Sequence, residues 1–107
     1  MSRREQIESM LAADPQDQFL RYALAMEFDK ESRHEESLAL LAGLQADPVP
    51  HVPAYFMAAQ QLVRLDRLAE ARTLLRSGIS LADQVGNTHA AGEMREFLTS
   101  LGNLGEA

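Results

Sequence analysis

Three histidines, His34, His51 and His89, are the first residues to test for chemistry, because imidazole serves both proton transfer and metal ligation near neutral pH. They stand in three separate segments, and none belongs to an HExxH or comparable zinc-ligand spacing. His34 follows a candidate capping serine, as at a surface helix start. His89 and Glu93 are spaced for one ion pair on a helix face, and a metal site needs further ligands. The carboxylates Glu27, Asp29, Glu31, Glu35 and Glu36 form a dense acidic run. General acid–base work, however, needs an enclosed pair whose pKa values are driven apart. Lys30 and Arg33 interrupt the run as they would on a solvated face. Gly86-Asn87 and Gly102-Asn103-Leu104-Gly105 are too sparse to cradle a phosphate and suit helix ends. No serine lies in a nucleophile elbow. The chain has no cysteine, which removes thiolate nucleophiles, disulfides, thiolate zinc sites and iron–sulfur ligation together. These residues point away from an enzyme, with no catalytic residue, cofactor or metal expected.

The elements that carry these residues are bounded by composition. At 107 residues the chain is long enough for one domain with an apolar core that needs no disulfide or metal staple. Ten Lys and Arg against 16 Asp and Glu leave a formal charge of -6, the wrong sign for neutralising a phosphate backbone, so no nucleic acid partner is expected. The first residues, Met1-Ser2-Arg3-Arg4-Glu5-Gln6-Ile7-Glu8, scatter charges where an export signal would need an apolar run. No later segment approaches membrane-spanning length. A cytoplasmic location and no membrane partner are the expectations.

Leu, Ala, Glu, Arg, Gln and Met dominate, and apolar residues recur at three- and four-residue steps, so the fold class is all-α with about five to six helices. Ser2-Arg3-Arg4-Glu5 reads as a capping box opening a helix that ends near Ala13 and carries Ile7, Met10 and Leu11 on one side. Asp14-Pro15 restarts the chain, with Asp14 as cap and a helix from about Pro15 to Lys30. Ser32-Arg33-His34-Glu35 reads as a second capping box, opening a helix with the stripe Leu38, Leu41, Leu44 and an end near Ala46. Pro48, Pro50 and Pro53 forbid a continuous helix, and Pro53 suits the first turn of the next one, which runs through Leu65. Asp66 is the expected cap of a helix reaching about Val85, where Gly86-Asn87 stops it. Thr88 or Asn87 then caps a last helix with the stripe Met94, Phe97, Leu98, Leu101.

A shift of 34 residues places Ala25 on Ala59, Arg33 on Arg67, Glu36 on Glu70, Leu40 on Leu74 and Leu41 on Leu75. Tyr22 falls on Phe56, Phe28 on Leu62 and Ser37 on Ala71. A period of this size in a helical chain marks stacked helical hairpins. Small residues at Ala25, Ser37, Ala59 and Ala71 let the two helices of a hairpin approach closely, with Phe28 and Leu62 filling the space alongside. The pattern resembles the tetratricopeptide repeat through Tyr55, Ala58-Ala59, Leu62, Ala71 and Leu75 in the second copy. In the first copy the matching residues are Arg21, Leu24-Ala25, Phe28, Ser37 and Leu41, after Asp14-Pro15. Arg21 stands where an aromatic is usual, and Leu44 where a small residue is usual. The resemblance implies stacked antiparallel hairpins in a right-handed superhelix of two to two and a half repeats. The expected division of a single domain, 1–107, is an N-terminal helix 1–13, repeats 14–47 and 48–86, a capping helix 87–101 and a flexible tail 102–107.

In this family the first helix of each hairpin lines a concave surface that recruits peptides, and the resemblance implies that use here. Helical spacing puts Phe19, Tyr22, Met26 and Lys30 on a different side of their helix from Leu24, Ala25 and Phe28. Phe56, Gln60, Val63 and Arg64 are the counterparts in the second hairpin. Together they describe a mostly apolar groove with cationic points at one edge, suited to an amphipathic helix or an extended segment of a partner protein. Packing of Tyr22, Phe56 and Met57 between adjacent hairpins is the alternative, since a helical aromatic stripe is more often core than groove. The carboxylate-clamp variant, which uses Lys and Asn on the groove face, does not fit Tyr22 and Met26. An adaptor or scaffold is therefore expected; a self-associating module, such as a homodimer, or an accessory subunit without a peptide ligand is the alternative.

Overall fold

In a computed structural model that describes residues 1–102, the chain forms α1 (Arg3–Ala13), α2 (Gln18–Lys30), α3 (His34–Ala46), α4 (Val52–Arg64), α5 (Leu68–Gln84) and α6 (Thr88–Leu101). The described residues contain no strand. The all-α class and the helix count are those expected from the sequence. Of the expected tail, residues 103–107 lie outside the described residues. No helix is long and apolar enough to cross a membrane among the described residues. The chain divides into two compact units, Met1–Ala54 and Tyr55–Ala107, so the boundary falls within the first turn of α4.

In the first unit α2 and α3 pair through small residues. Ala25 and Ser37 are both fully buried, and the Ser37 hydroxyl donates to the Ala25 carbonyl at 2.6 Å across the two helices. Beside this contact Leu24 and Phe28 join Ile7 of α1 in a buried cluster, with Leu11, Ala23 and Leu40 packed against it. The capping box at Ser2 forms as expected: its hydroxyl accepts from the Glu5 N–H, and Glu5 accepts from the Ser2 N–H. Arg4 then ties α1 to the end of α2 through both carboxylate oxygens of Glu31, at 3.1 and 2.9 Å.

The second unit repeats the design. Ala59 on α4 and Ala71 on α5 are fully buried, with Leu62 and Leu75 alongside, and Ala91, Met94 and Leu101 complete the core from α6. Gly78 lies against α4 and α6 so closely that an added Cβ would stand 2.7 Å from the Tyr55 Cβ and 2.7 Å from the Met94 sulfur. The buried guanidinium of Arg72 donates to the Gly102 carbonyl at 2.8 Å and the Leu101 carbonyl at 3.5 Å. It thereby supplies from α5 the positive charge that the last turn of α6 lacks.

Three expected caps are corrected. Asp14 does not cap α2; residues 15 and 16 form a turn, and Asp17 accepts from the Leu20 N–H at 2.8 Å. Ser32 and Asp66 do not cap α3 and α5. Each sits at φ +60°, in the left-handed region, two residues past the end of the preceding helix. The N–H of Ser32 reaches the Asp29 carbonyl and that of Arg33 the Phe28 carbonyl; those of Asp66 and Arg67 reach Val63 and Leu62 in the same way. This is the paired bonding of a Schellman turn. Gly86, at φ +76°, closes α5 with the same pair, and Asn87 caps α6 by accepting from the Ala90 N–H.

Left-handed backbone costs an L-residue about 1–2 kcal/mol that glycine avoids, partly offset by glycine's larger entropy when unfolded. Ser32→Gly is therefore expected to stabilise the protein by about 0.5–1 kcal/mol in urea denaturation, and a loss would contradict the turn geometry. At the close helix contacts, Ala71→Leu and Gly78→Ala should each destabilise by about 1–3 kcal/mol in the same assay. Parent-like melting of either would mean that these helices do not approach as described.

Candidate functional site

The side of α2 turned away from the buried cluster carries Phe19, Tyr22, Met26 and Lys30. Phe19 is 75% exposed and Met26 40% exposed, a large apolar display for one short helix. Tyr22 is half-buried because its ring lies against His51, with centroids 5.2 Å apart and planes tilted by 59°. Burial raises the Tyr22 pKa above its ordinary value. Lys30 pairs with Glu27 at 3.3 Å, and Arg3 reaches the same carboxylate at 2.9 Å, so Lys30 belongs to the ion-pair cluster at the α1–α2 corner.

His51 is held in place by its backbone N–H, which donates to the Leu44 carbonyl at 3.1 Å. Its neighbourhood is polar on the far side. Arg21 grips Asp47 with two bonds of 2.7 and 3.1 Å, and Gln18 donates to Asp47 at 2.9 Å and to the Val49 carbonyl at 2.7 Å. The bonds from Arg21 and Gln18 hold the Asp47 carboxyl below the usual carboxylate range. Burial lowers the His51 pKa, with Asp47 opposing and Arg21 assisting the shift.

In the second unit α4 and α6 form one face. Phe56 and Phe97 meet edge to face, 5.5 Å between centroids and 65° between planes, and both remain half-buried. On one side of Phe97 a depression of about 430 Å³ is lined by Gln60, Val63 and Arg64; on the other, one of about 390 Å³ is lined by Phe56, Glu93, Glu96 and Ser100. Phe56, Gln60, Val63 and Arg64 are thus brought together with a helix that sequence reasoning left out of the face. The spacing of residues 93, 96, 97 and 100 puts them on one side of α6, and that was the available signal.

The three histidines occupy separate settings. His34 Nδ1 faces Asp29 at 3.1 Å, His51 packs on Tyr22, and His89 Nε2 faces Glu93 at 3.0 Å. No group of three or more His, Cys, Asp or Glu suited to a metal ion occurs among the described residues.

No family model and no curated protein matches the sequence. A solved structure does: the solution NMR structure of a tetratricopeptide repeat domain protein from Salinibacter ruber superimposes with a TM-score of 0.78 and 30% sequence identity, over 87% of this chain and 94% of that one. The chain belongs to the tetratricopeptide repeat family. Its fold is accordingly that of an interaction module for protein partners, a class that is typically non-enzymatic.

The departures from the tetratricopeptide pattern have a physical basis here. Arg21 replaces the usual aromatic because its guanidinium ends beside Gly43, 3.2 Å from where a Cβ would stand, and finds Asp47 at the end of α3. In the second repeat Tyr55, one period after Arg21, lies instead against Gly78, one period after Leu44. Leu44, where a small residue is usual, is fully buried.

Because its folded pKa is depressed, His51 takes up a proton at higher pH in the unfolded chain than in the folded one. Its contribution to stability is complete above about pH 6.5 and declines as the pH falls from there through the folded pKa. The His51 Cε1–H resonance should titrate at lower pH in the folded chain than in urea, and His51→Gln should flatten this part of the stability profile. A folded-state midpoint equal to or above that in urea would contradict the burial beside Tyr22.

Proposed function

We propose that the face formed by α4 and α6 holds a segment of a partner polypeptide, so that the protein acts as an adaptor or scaffold. The observation that carries this is the half-buried Phe56–Phe97 pair standing between two open depressions. Aromatic rings that are ordered against each other, yet remain partly in contact with water, gain burial when an apolar side chain covers them, at little entropic cost to the protein. Phe19, Tyr22, Met26 and Lys30 on α2 are the corresponding surface of the first unit: the repeat shift takes Tyr22 to Phe56, Met26 to Gln60 and Lys30 to Arg64. The 75% exposure of Phe19 supports the same use. The cytoplasm, expected from the cysteine-free composition, is the setting that goes with it. A second copy of the chain is the alternative occupant, and the same exposed apolar residues favour it.

Capture with tagged full-length protein, followed by affinity measurement, tests the proposal. Phe97→Ser should weaken partner binding by about 2 kcal/mol or more, as expected of a central aromatic anchor. Its cost in stability should stay below the roughly 3–5 kcal/mol of a fully buried ring. Phe19→Ser and Met26→Ser should leave the melting temperature unchanged while weakening any partner that uses α2. Undiminished capture by all three variants would place binding elsewhere. Concentration-dependent sedimentation abolished by Phe97→Ser would assign the face to self-association.

A further inference from the structure

Charge is unevenly distributed over the α4–α6 face. Arg64 lies at the depression beside Gln60 and Val63, while the neighbouring one is bounded by Glu93 and Glu96 and has no Lys or Arg among the described residues that line it. The nearest cation along α6, Arg95, is engaged with Asp83 of α5. Glu93 has His89 at 3.0 Å, an imidazole that is 87% exposed. Phe56 and Phe97 share the lining with the two carboxylates and supply its aromatic surface.

Two carboxylates and two aromatic rings lining one depression specify a cation with an apolar stem. A guanidinium or ammonium can meet the carboxylates while its methylene chain covers the rings, and a guanidinium can also lie against a ring face. A carboxylate-bearing side chain would face two like charges here, and a short neutral one would leave the rings uncovered. The whole chain, at -6, adds a long-range field of the same sign that steers basic segments toward it.

We propose that the depression between Phe56, Glu93, Glu96, Phe97 and Ser100 receives an arginine or lysine of the partner segment, next to an apolar anchor seated against Val63 and Phe97. The ligand class is thus a basic amphipathic peptide, the opposite of the acidic tails gripped by a carboxylate clamp. This rests on the α4–α6 face being the binding face, and it departs from the cationic groove edge suggested by Lys30 and Arg64 alone.

The probe is a phage-displayed random peptide library panned on the full chain. Enriched peptides should place Arg or Lys within one helical turn of a large apolar residue. Synthetic versions should lose roughly 3- to 10-fold in affinity on the Glu93→Gln/Glu96→Gln double variant, and this loss should vanish for the same peptide with its basic residue changed to Gln. Added salt should weaken the parent complex more than that of the double variant. These surface changes leave the core intact, and circular dichroism checks it. Enriched peptides without a basic preference, or binding indifferent to the double variant, overturn the cation site; if Phe97→Ser or the milder Phe97→Leu still weakens them, the binding face itself stands. No enrichment, or enrichment untouched by every substitution on α4 and α6, overturns both.

Discussion

Each hairpin depends on two helices meeting where neither has a side chain larger than a methyl or hydroxymethyl group. Ala25 and Ser37 in the first unit, and Ala59 and Ala71 in the second, are fully buried. The 2.6 Å bond from Ser37 to the Ala25 carbonyl shows how near the backbones come. At that separation there is no room for a bulky residue on the seam, so Leu24 and Phe28, or Ala58 and Leu62, must pack alongside it. The remaining side of α2 and α4 is then left over, and Phe19, Met26, Phe56 and Val63 lie there. The proposed binding face is in this sense a by-product of the seam: a first helix that spends its small residues inward has only one other apolar stripe to offer.

The period of 34 residues, the small residues and the helix count were legible because they follow from side-chain volume and helical spacing. The caps were less so, and Ser2 and Ser32 explain why. Both begin a serine, two residues, glutamate pattern, but only Ser2 forms the capping box. Ser2 adopts the extended backbone a cap requires. The N–H groups of Ser32 and Arg33 are claimed first by the last carbonyls of α2, which drives Ser32 to φ +60° and turns its hydroxyl from the helix it was expected to open. Asp66 loses its capping role to α4 in the same way. At the candidate site, Phe56, Gln60, Val63 and Arg64 could be grouped from one helix, whereas the contribution of Glu93, Glu96 and Phe97 depends on lateral packing between α4 and α6, on which a local pattern is silent.

The repeats share a surface pair as well as a seam. Arg33 grips Glu36 just as Arg67 grips Glu70, each across the first turn of a second helix. In the first unit the Arg33 guanidinium also lies 4.6 Å from the Phe28 ring centre, with Arg4 of α1 at 5.8 Å. Residue 62, a leucine, offers no such ring. The units are also closed by different means. In the first, Ile7 and Leu11 of α1 cover the flank of Phe28; in the second, buried Arg72 binds the carbonyl end of α6.

The seating of Tyr55 over Gly78, and of Tyr22 on His51, divides the chromophores evenly. With no tryptophan and two tyrosines in the chain, each compact unit contains one phenol ring, fixed by contacts made inside that unit. Fluorotyrosine incorporated throughout would therefore give two fluorine resonances, one per unit, without any substitution. Their disappearance on heating would distinguish a chain that melts as one cooperative block from one whose repeats let go in turn, as the nearest-neighbour energetics of repeat arrays permit.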